Sequence, residues 1–123
     1  RADLDPRAHL LAGRALEPLR DEGVLVIGTG MSFHNLRALG PAGTEPSRLF
    51  DAWLTDAVTA AQPEQRNQRL ADWQQAPAAR FAHPREEHLL PLMIAAGAAG
   101  QDRGVKIYED QVLDVTQSAF RFG

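Results

Sequence analysis

Apolar and polar positions along the chain follow two different periods, and the changes of period divide it into predicted helices and strands. Asp5 followed by Pro6 is typical of a helix start, and apolar residues then recur at helical spacing until Gly23. The unbroken apolar run VLVIG follows, from Val24 to Gly28. Such a run is typical of a strand covered on both faces, so we expect an inner strand here.

The rest of the chain predicts three more helices and two closing strands. After a loop at residues 39–47, we expect a helix at 46–61, a polar and exposed helix at 63–75, and a helix from about 84 to 96. The stretch APAARFAHP is expected to be irregular, and VKIYE and QVLDVTQSAFRFG alternate as strands do. The pattern predicts one α/β domain, residues 1–123, with layered helices around a mixed β-sheet. The residues expected to be buried are Leu25, Ile27, Leu49, Trp53, Leu92, Ile94 and Val115.

Composition and charge exclude several classes of function. The 13 Lys and Arg residues are outnumbered by 16 Asp and Glu and are spread along the chain, which argues against a nucleic-acid partner. No apolar run approaches the roughly 18 to 20 residues of a membrane span. Without cysteine, the chain has neither disulfides nor thiolate metal ligands, and we expect a cytoplasmic location. The opening RADLDPRAHL, which lacks methionine, suggests a cut inside a longer protein.

The stretch GTGMS and the histidine that follows it, His34, are the first candidates for chemistry. Glycines between a strand and a helix can hold a phosphate, but residues 28–32 complete neither of the two common phosphate-binding motifs. We instead expect Gly28 and Gly30 to let the chain leave the strand sharply. His34 would then lie at the carboxyl edge of the sheet, where ligands bind in open α/β folds. The alternative is an ordinary hydrogen-bonded loop histidine.

His83 and His88 form a second cluster, in FAHPREEHLLPLMIAAGAAG. Glu86 and Glu87 are explained by the helix dipole alone, since acidic residues stabilise the first turn of a helix. His88 adjoins an apolar stripe, which would hold its imidazole in place as a metal ligand requires. The spacing of the two histidines is not the four-residue pitch that places two ligands on one helical face.

Two of these motifs together resemble a known family. GVLVIGTGMSFHNLRAL, followed later by HPREEHLLPLMIAAGAAG and the terminal SAFRFG, resembles the class III extradiol ring-cleavage dioxygenases, in particular their DOPA 4,5-dioxygenase-like branch. The resemblance covers nearly the whole chain but only the C-terminal half or less of a family member. Where many relatives have Thr-Pro before Glu-His, this chain has Arg85 and Glu86.

The resemblance implies a metal-dependent dioxygenase with Fe(II), or alternatively zinc, that opens the ring of a catechol such as DOPA with dioxygen. It implies that His88 is a metal ligand and that His34 is the acid/base residue or an additional ligand. Gly30 and His83 are implied to contact substrate. Non-heme iron is held by three side chains that leave open positions for both substrates, and a nearby histidine can take the catechol proton.

The family carries two further histidine ligands in its N-terminal half, and this sequence does not supply them in matching context. We therefore expect that the N-terminal half of the same enzyme, or a second copy, completes the site and that this chain alone is inactive. The alternative is a non-catalytic truncated module that associates with a partner chain or a second copy. Either way, His34 and His88 are predicted to converge in space.

Overall fold

The computed structural model describes residues 4–123, which form five helices, two short 3₁₀ turns and one β-hairpin. The predicted α/β class is confirmed, although the sheet of the described residues has two antiparallel strands and is not a mixed sheet. None of the helices in residues 4–123 has the length and apolar character needed to cross a bilayer. The helices are α1 (Pro6–Asp21), α2 (Pro41–Val58), α3 (Pro63–Ala71), α4 (Ala79–Ala82) and α5 (Leu90–Ala98); the strands are β1 (Gly104–Val112) and β2 (Val115–Phe122); the 3₁₀ turns are Leu36–Ala38 and Trp73–Gln75.

Helix α1 begins and ends as the sequence predicts and packs closely against α5. The Asp5 carboxylate accepts a hydrogen bond from the Arg7 N–H at 2.9 Å, and Gly23 follows the helix with φ +82°. The two helices meet where each has a glycine. A Cβ on Gly13 would lie 2.1 Å from the Ile94 carbonyl oxygen, and one on Gly97 would lie 2.1 Å from the Leu10 carbonyl oxygen. The glycines therefore permit backbone-to-backbone packing.

Helix α2 starts five residues earlier than predicted. The loop expected at residues 39–47 is wrong, because Pro41 occupies the first helical turn, where its missing N–H costs nothing. Gly40, with φ +102°, sets the break before it. Phe50 and Leu54 of α2 are fully buried, and the Ser47 hydroxyl accepts the Thr116 N–H at 2.9 Å. Helix α2 is thereby bonded to β2.

Helix α3 was expected to be largely exposed, but Arg66 and Leu70 are buried in it. The Arg66 guanidinium donates to the carbonyl oxygens of Ala96 (2.9 Å) and Gly100 (3.2 Å). It donates as well to the carbonyl of Asp102, at 2.7 Å. These carbonyls lie at and beyond the end of α5, where backbone oxygens lack helical partners and a positive charge is favourable. Arg66 is buried because it satisfies them.

The closing strands are confirmed as a β-hairpin. Val112 pairs with Val115 across a turn in which Leu113 and Asp114 have φ of +51° and +66°, the backbone of a type I′ turn. Val115 is fully buried, as predicted. Lys106 of β1 pairs with the buried Asp51 of α2 at 2.6 Å, so the hairpin is tied to the same helix by an ion pair.

The predicted inner strand VLVIG is wrong. Residues 24–30, here called the open segment, are not assigned to a strand, and Leu25 and Ile27 are 79% and 71% exposed. No backbone hydrogen bond joins residues 25–30 to any other part of the described chain. A strand needs neighbours on its edges and cover on its faces, and residues 4–123 supply cover on one side alone.

The remaining differences concern helix bounds and burial. Helix α5 begins at Leu90 and not near Pro84, and α4 lies in the stretch expected to be irregular. Of the residues predicted to be buried, Leu49 is 37% exposed. Three more of the predicted core residues are only partly buried: Trp53, Leu92 and Ile94. The observed core instead joins α2, α3 and α5 through Phe50, Leu54, Leu70, Trp73 and Met93.

Candidate metal centre

The loop that carries His34 is fixed by two hydrogen bonds and a buried aromatic side chain. The His34 N–H donates to the Ala82 carbonyl at 2.9 Å, and the Ser32 carbonyl accepts from the His83 ring nitrogen Nε2 at 3.0 Å. The Phe33 side chain is buried, with its ring centroid 6.4 Å from that of Phe81. His34 therefore projects from an anchored stretch of loop, although no strand precedes it.

His88 lies in the turn before α5 and not inside the helix as predicted. Arg80 and Glu86 form an ion pair of 2.8 Å at the start of this turn. The Glu86 carbonyl accepts the N–H groups of Leu89 and Leu90, which closes the turn. The Met31 N–H donates to the His88 carbonyl at 2.9 Å. This last bond joins the two histidine-bearing segments directly.

The predicted convergence of His34 and His88 is confirmed. Their imidazole rings are stacked, with 3.5 Å between ring centroids and 26° between ring planes. Both side chains are half-buried. Partial burial lowers the pKa of His34, and the neighbouring His88 lowers it further. The lowered pKa favours the neutral ring, which can accept a proton or bind a metal through one nitrogen.

Gly28 and Gly30 serve a purpose other than the sharp bend we expected. Neither has a positive φ, but a Cβ on Gly28 would lie 2.3 Å from the Pro91 carbonyl oxygen. A Cβ on Gly30 would lie 2.1 Å from the His88 carbonyl oxygen. Because only glycine permits this approach, the open segment can lie against the turn that carries His88. The close approach brings the open segment into contact with the backbone of His88 and Pro91.

His83 lies in the core beneath this pair. It has no exposed surface, and its ring meets those of Phe50 and Trp73 at centroid distances of 5.3 and 5.9 Å. Burial lowers the pKa of His83 to about 4. The ring is therefore neutral and donates from Nε2 to Ser32, while Nδ1 has no hydrogen-bond partner among the described residues. Its predicted contact with substrate stays a prediction.

A groove of about 570 Å³ opens beside His88. The open segment forms one wall, β2 forms the other, and α5 forms the floor with Leu92 and Ala95. Gly30 is among the residues that line the groove, and its predicted contact with substrate stays a prediction. The volume is in the range of small-molecule sites.

The donor set of the described residues is small. No three His, Asp or Glu side chains within residues 4–123 are grouped so that they could hold a metal ion. The stacked pair fits a metal such as Fe(II) or Zn²⁺ in ligand type, since neutral imidazoles suit both. It supplies two donors at most. The phosphate alternative at residues 28–32 lacks the helix it needs, because only the three-residue turn Leu36–Ala38 follows.

Sequence reasoning missed Gln117, which contacts the chain next to His34. This buried residue of β2 bonds Phe33 through both atoms of its amide. Neither its residue type nor its place in an alternating strand indicated this contact, because the partner is the backbone of a loop that is distant in the sequence.

Comparison with known proteins gives consistent matches. The chain is 35% identical over 135 residues to the dioxygenase tasH of Hapsidospora irregularis, covering 99% of this chain and 41% of that protein. It is 41% identical over 102 residues to the 4,5-DOPA dioxygenase extradiol of Beta vulgaris, covering 80% of this chain and 37% of that protein. The chain thus spans about two fifths of the length of these curated relatives.

The fold matches a solved structure. The crystal structure of the uncharacterized protein JW3007 from Escherichia coli K12 superposes with a TM-score of 0.82 at 25% identity. The match covers 96% of this chain and 50% of that one. At the level of sequence families, residues 2–120 match the catalytic LigB subunit of aromatic ring-opening dioxygenase. The chain therefore belongs to the family of the catalytic LigB subunit of aromatic ring-opening dioxygenases.

Proposed function

We propose that the chain supplies part of the metal centre of an extradiol dioxygenase that opens a catechol ring, such as that of DOPA, with dioxygen. The observation that carries this proposal is the contact between His34 and His88, whose rings stack 3.5 Å apart although they come from distant motifs. Family membership supports the reaction class. The relative from Beta vulgaris, a 4,5-DOPA dioxygenase extradiol, supports a catechol as the substrate class.

The metal in this proposal is Fe(II), with zinc as the other possibility. His88 would hold it through a ring nitrogen, because its backbone is fixed by the turn before α5 and by the bond from Met31. When bound, the metal orients catechol and dioxygen together and supplies the redox chemistry that ring opening needs.

His34 would move the proton. Its lowered pKa leaves a ring nitrogen unprotonated at neutral pH, and that nitrogen can accept the proton of a catechol hydroxyl. The stacked His88 ring fixes the orientation of His34. Gly30, which lines the groove, would lie against the substrate ring. His83 has no exposed surface, so it would act on the substrate only indirectly, by holding the Ser32 carbonyl beside the site.

A second polypeptide segment would complete the site. Three protein ligands are typical of a non-heme iron site, and the stacked pair provides at most two. We propose that the N-terminal half of the same enzyme, or a second copy of this chain, brings the others, so that this chain alone is not a competent dioxygenase. The open segment supports this proposal, since Leu25 and Ile27 expose apolar surface.

The test compares the 123-residue chain with the product of the whole coding region, including any sequence upstream of Arg1. Each is mixed with Fe(II) and DOPA in air, and the yellow ring-opened product is measured. We expect turnover only from the longer product. In it, His88→Ala should abolish metal loading, and His34→Ala should keep the metal and lower turnover by about 10² to 10⁴-fold.

The control variant is His9→Ala, a half-buried histidine of α1 whose ring contacts the Asp5 carbonyl and lies away from the pair. It should keep both metal and turnover. Full activity of His34→Ala or His88→Ala would contradict the roles proposed for them.

The second candidate is a non-catalytic module that associates with a partner or a second copy. The two-donor site and the exposed open segment support this candidate as much as they support an incomplete dioxygenase. A start codon directly before the codon of Arg1, together with a stable dimer that shows no turnover with Fe(II) and DOPA, would select this alternative.

A further inference from the structure

Gln117 holds the backbone next to His34 as a neighbouring strand would. Its side-chain oxygen accepts the Phe33 N–H at 3.3 Å, and its side-chain nitrogen donates to the Phe33 carbonyl at 2.7 Å. One residue of an antiparallel strand makes the same pair of bonds to the residue opposite it. Gln117 is only 8% exposed, so water does not compete for these bonds.

Ser32 extends this arrangement by one residue. Its hydroxyl donates to the Gln117 side-chain oxygen at 3.2 Å and accepts the Ser118 N–H at 2.8 Å. The bonds connect β2 to the two residues that precede His34. They matter because residues 25–30 have no backbone hydrogen bonds elsewhere in the described chain.

We propose that Gln117 is a positioning residue for His34: its amide fixes Ser32 and Phe33 so that the His34 ring stays stacked on His88. The inference rests on the proposed function only for its effect on turnover. Without the amide, the loop keeps its bonds to His83 and Ala82, but the Phe33 N–H and carbonyl lose the one partner that residues 4–123 give them. An error of about 1 Å in the position of a catalytic group can cost 10²-fold in rate.

The first experiment needs no metal and no turnover. In the metal-free chain, the nuclear Overhauser effect between the His34 and His88 ring protons reports the 3.5 Å stacking. Gln117→Met keeps the side-chain volume and removes the amide, and we expect it to abolish this signal in a protein that remains folded. The matched control is Gln111→Met on β1, whose amide donates to the Thr116 hydroxyl and not to the loop, and it should leave the signal unchanged.

The second experiment uses the metal-loaded product of the whole coding region. Gln117→Met should lower kcat by about 10 to 100-fold with little change in KM, since it displaces a reacting group and not a substrate contact. A lower melting temperature with unchanged ring signal and unchanged kcat would show that Gln117 acts on stability alone, and would overturn the proposal.

Two milder variants cover the case in which Gln117→Met does not fold. Gln117→Glu keeps the acceptor for the Phe33 N–H and loses the donor, and Ser32→Ala removes the two hydroxyl bonds to Gln117 and Ser118. Both should weaken the ring signal, and an unchanged signal in both folded variants would overturn the proposal. If the wild-type chain shows the ring signal but the loaded protein does not open catechols, the proposed function fails while the positioning role stands.

Discussion

Two regions of this molecule contain the same kinds of apolar side chain and bury them to opposite extents. Leu54, a core residue of α2, is fully buried, whereas Leu25 in the open segment is 79% exposed. The packed region has cover on every side, and the open segment has α5 on one side only. Hydrophobic character therefore marks which residues need cover, while burial depends on what the rest of the protein supplies. The open segment requires more cover than residues 4–123 provide.

The largest expected effect comes from making one substitution in both regions. Leu54→Ala should lower the free energy of unfolding by about 2 to 5 kcal/mol, because it removes buried methyl groups and leaves a cavity. Leu25→Ala should change it by about 0.5 kcal/mol or less, since that side chain lies in solvent. Urea unfolding of the purified chain measures both. Equal losses would mean that the open segment is covered in solution, and the comparison would fail.

The next largest effect is the pH dependence of stability that the buried His83, at the border of the packed region, should cause. Its pKa is about 4 in the folded chain and 6.5 when exposed, so the unfolded state binds the proton first as pH falls. The contribution to stability is complete above pH 6.5 and is lost progressively down to about pH 4. The loss amounts to about 3 kcal/mol at 1.36 kcal/mol per pH unit.

Urea unfolding between pH 7 and pH 4 tests this dependence. His83→Gln keeps a donor for the Ser32 carbonyl but does not titrate, so its stability should fall by about 3 kcal/mol less than that of the wild type over this range. His9→Gln is the matched control and should retain the wild-type slope. The titratable groups near His83 are His34, His88 and Glu86, all of which remain in both variants. Parallel curves for wild type and His83→Gln would contradict the assignment.

Sequence reasoning succeeded where local chemistry decides the structure. The start of α1 at Asp5 and Pro6, its end at Gly23, and the closing hairpin all follow from capping, glycine and alternation. The pairing of His34 with His88 followed from the family resemblance and not from spacing.

The errors lie where distant parts of the chain decide. Arg66 looked solvated because its partners, the carbonyls that end α5, are not visible in the sequence of its own helix. The run VLVIG looked like an inner strand because an unbroken apolar run is typical of a strand that is buried on both faces. Residues 4–123 cover it on one side. Gln117 was missed for the same reason, since its partner is loop backbone.

The smallest expected difference in stability is between two Gly→Ala variants. Both glycines approach a carbonyl oxygen equally closely. A Cβ on Gly97 would lie 2.1 Å from the Leu10 carbonyl, and one on Gly30 would lie 2.1 Å from the His88 carbonyl. Gly97 lies between two packed helices, so Gly97→Ala must separate them, and we expect a loss of about 3 kcal/mol. Gly30 belongs to the open segment, which can move into solvent, and Gly30→Ala should cost about 1 kcal/mol.

Stability alone understates what Gly30→Ala changes. Moving the segment outward breaks the bond from the Met31 N–H to the His88 carbonyl, which joins the two histidine segments. We therefore expect the Overhauser signal between the His34 and His88 rings to disappear in Gly30→Ala and to persist in Gly97→Ala, although the latter is less stable. Thr29→Ala, an exposed neighbour, should alter neither quantity. A Gly30→Ala chain that keeps the ring signal would show that the glycine does not set the distance between the two histidines, because the segment could then leave the turn without separating the rings.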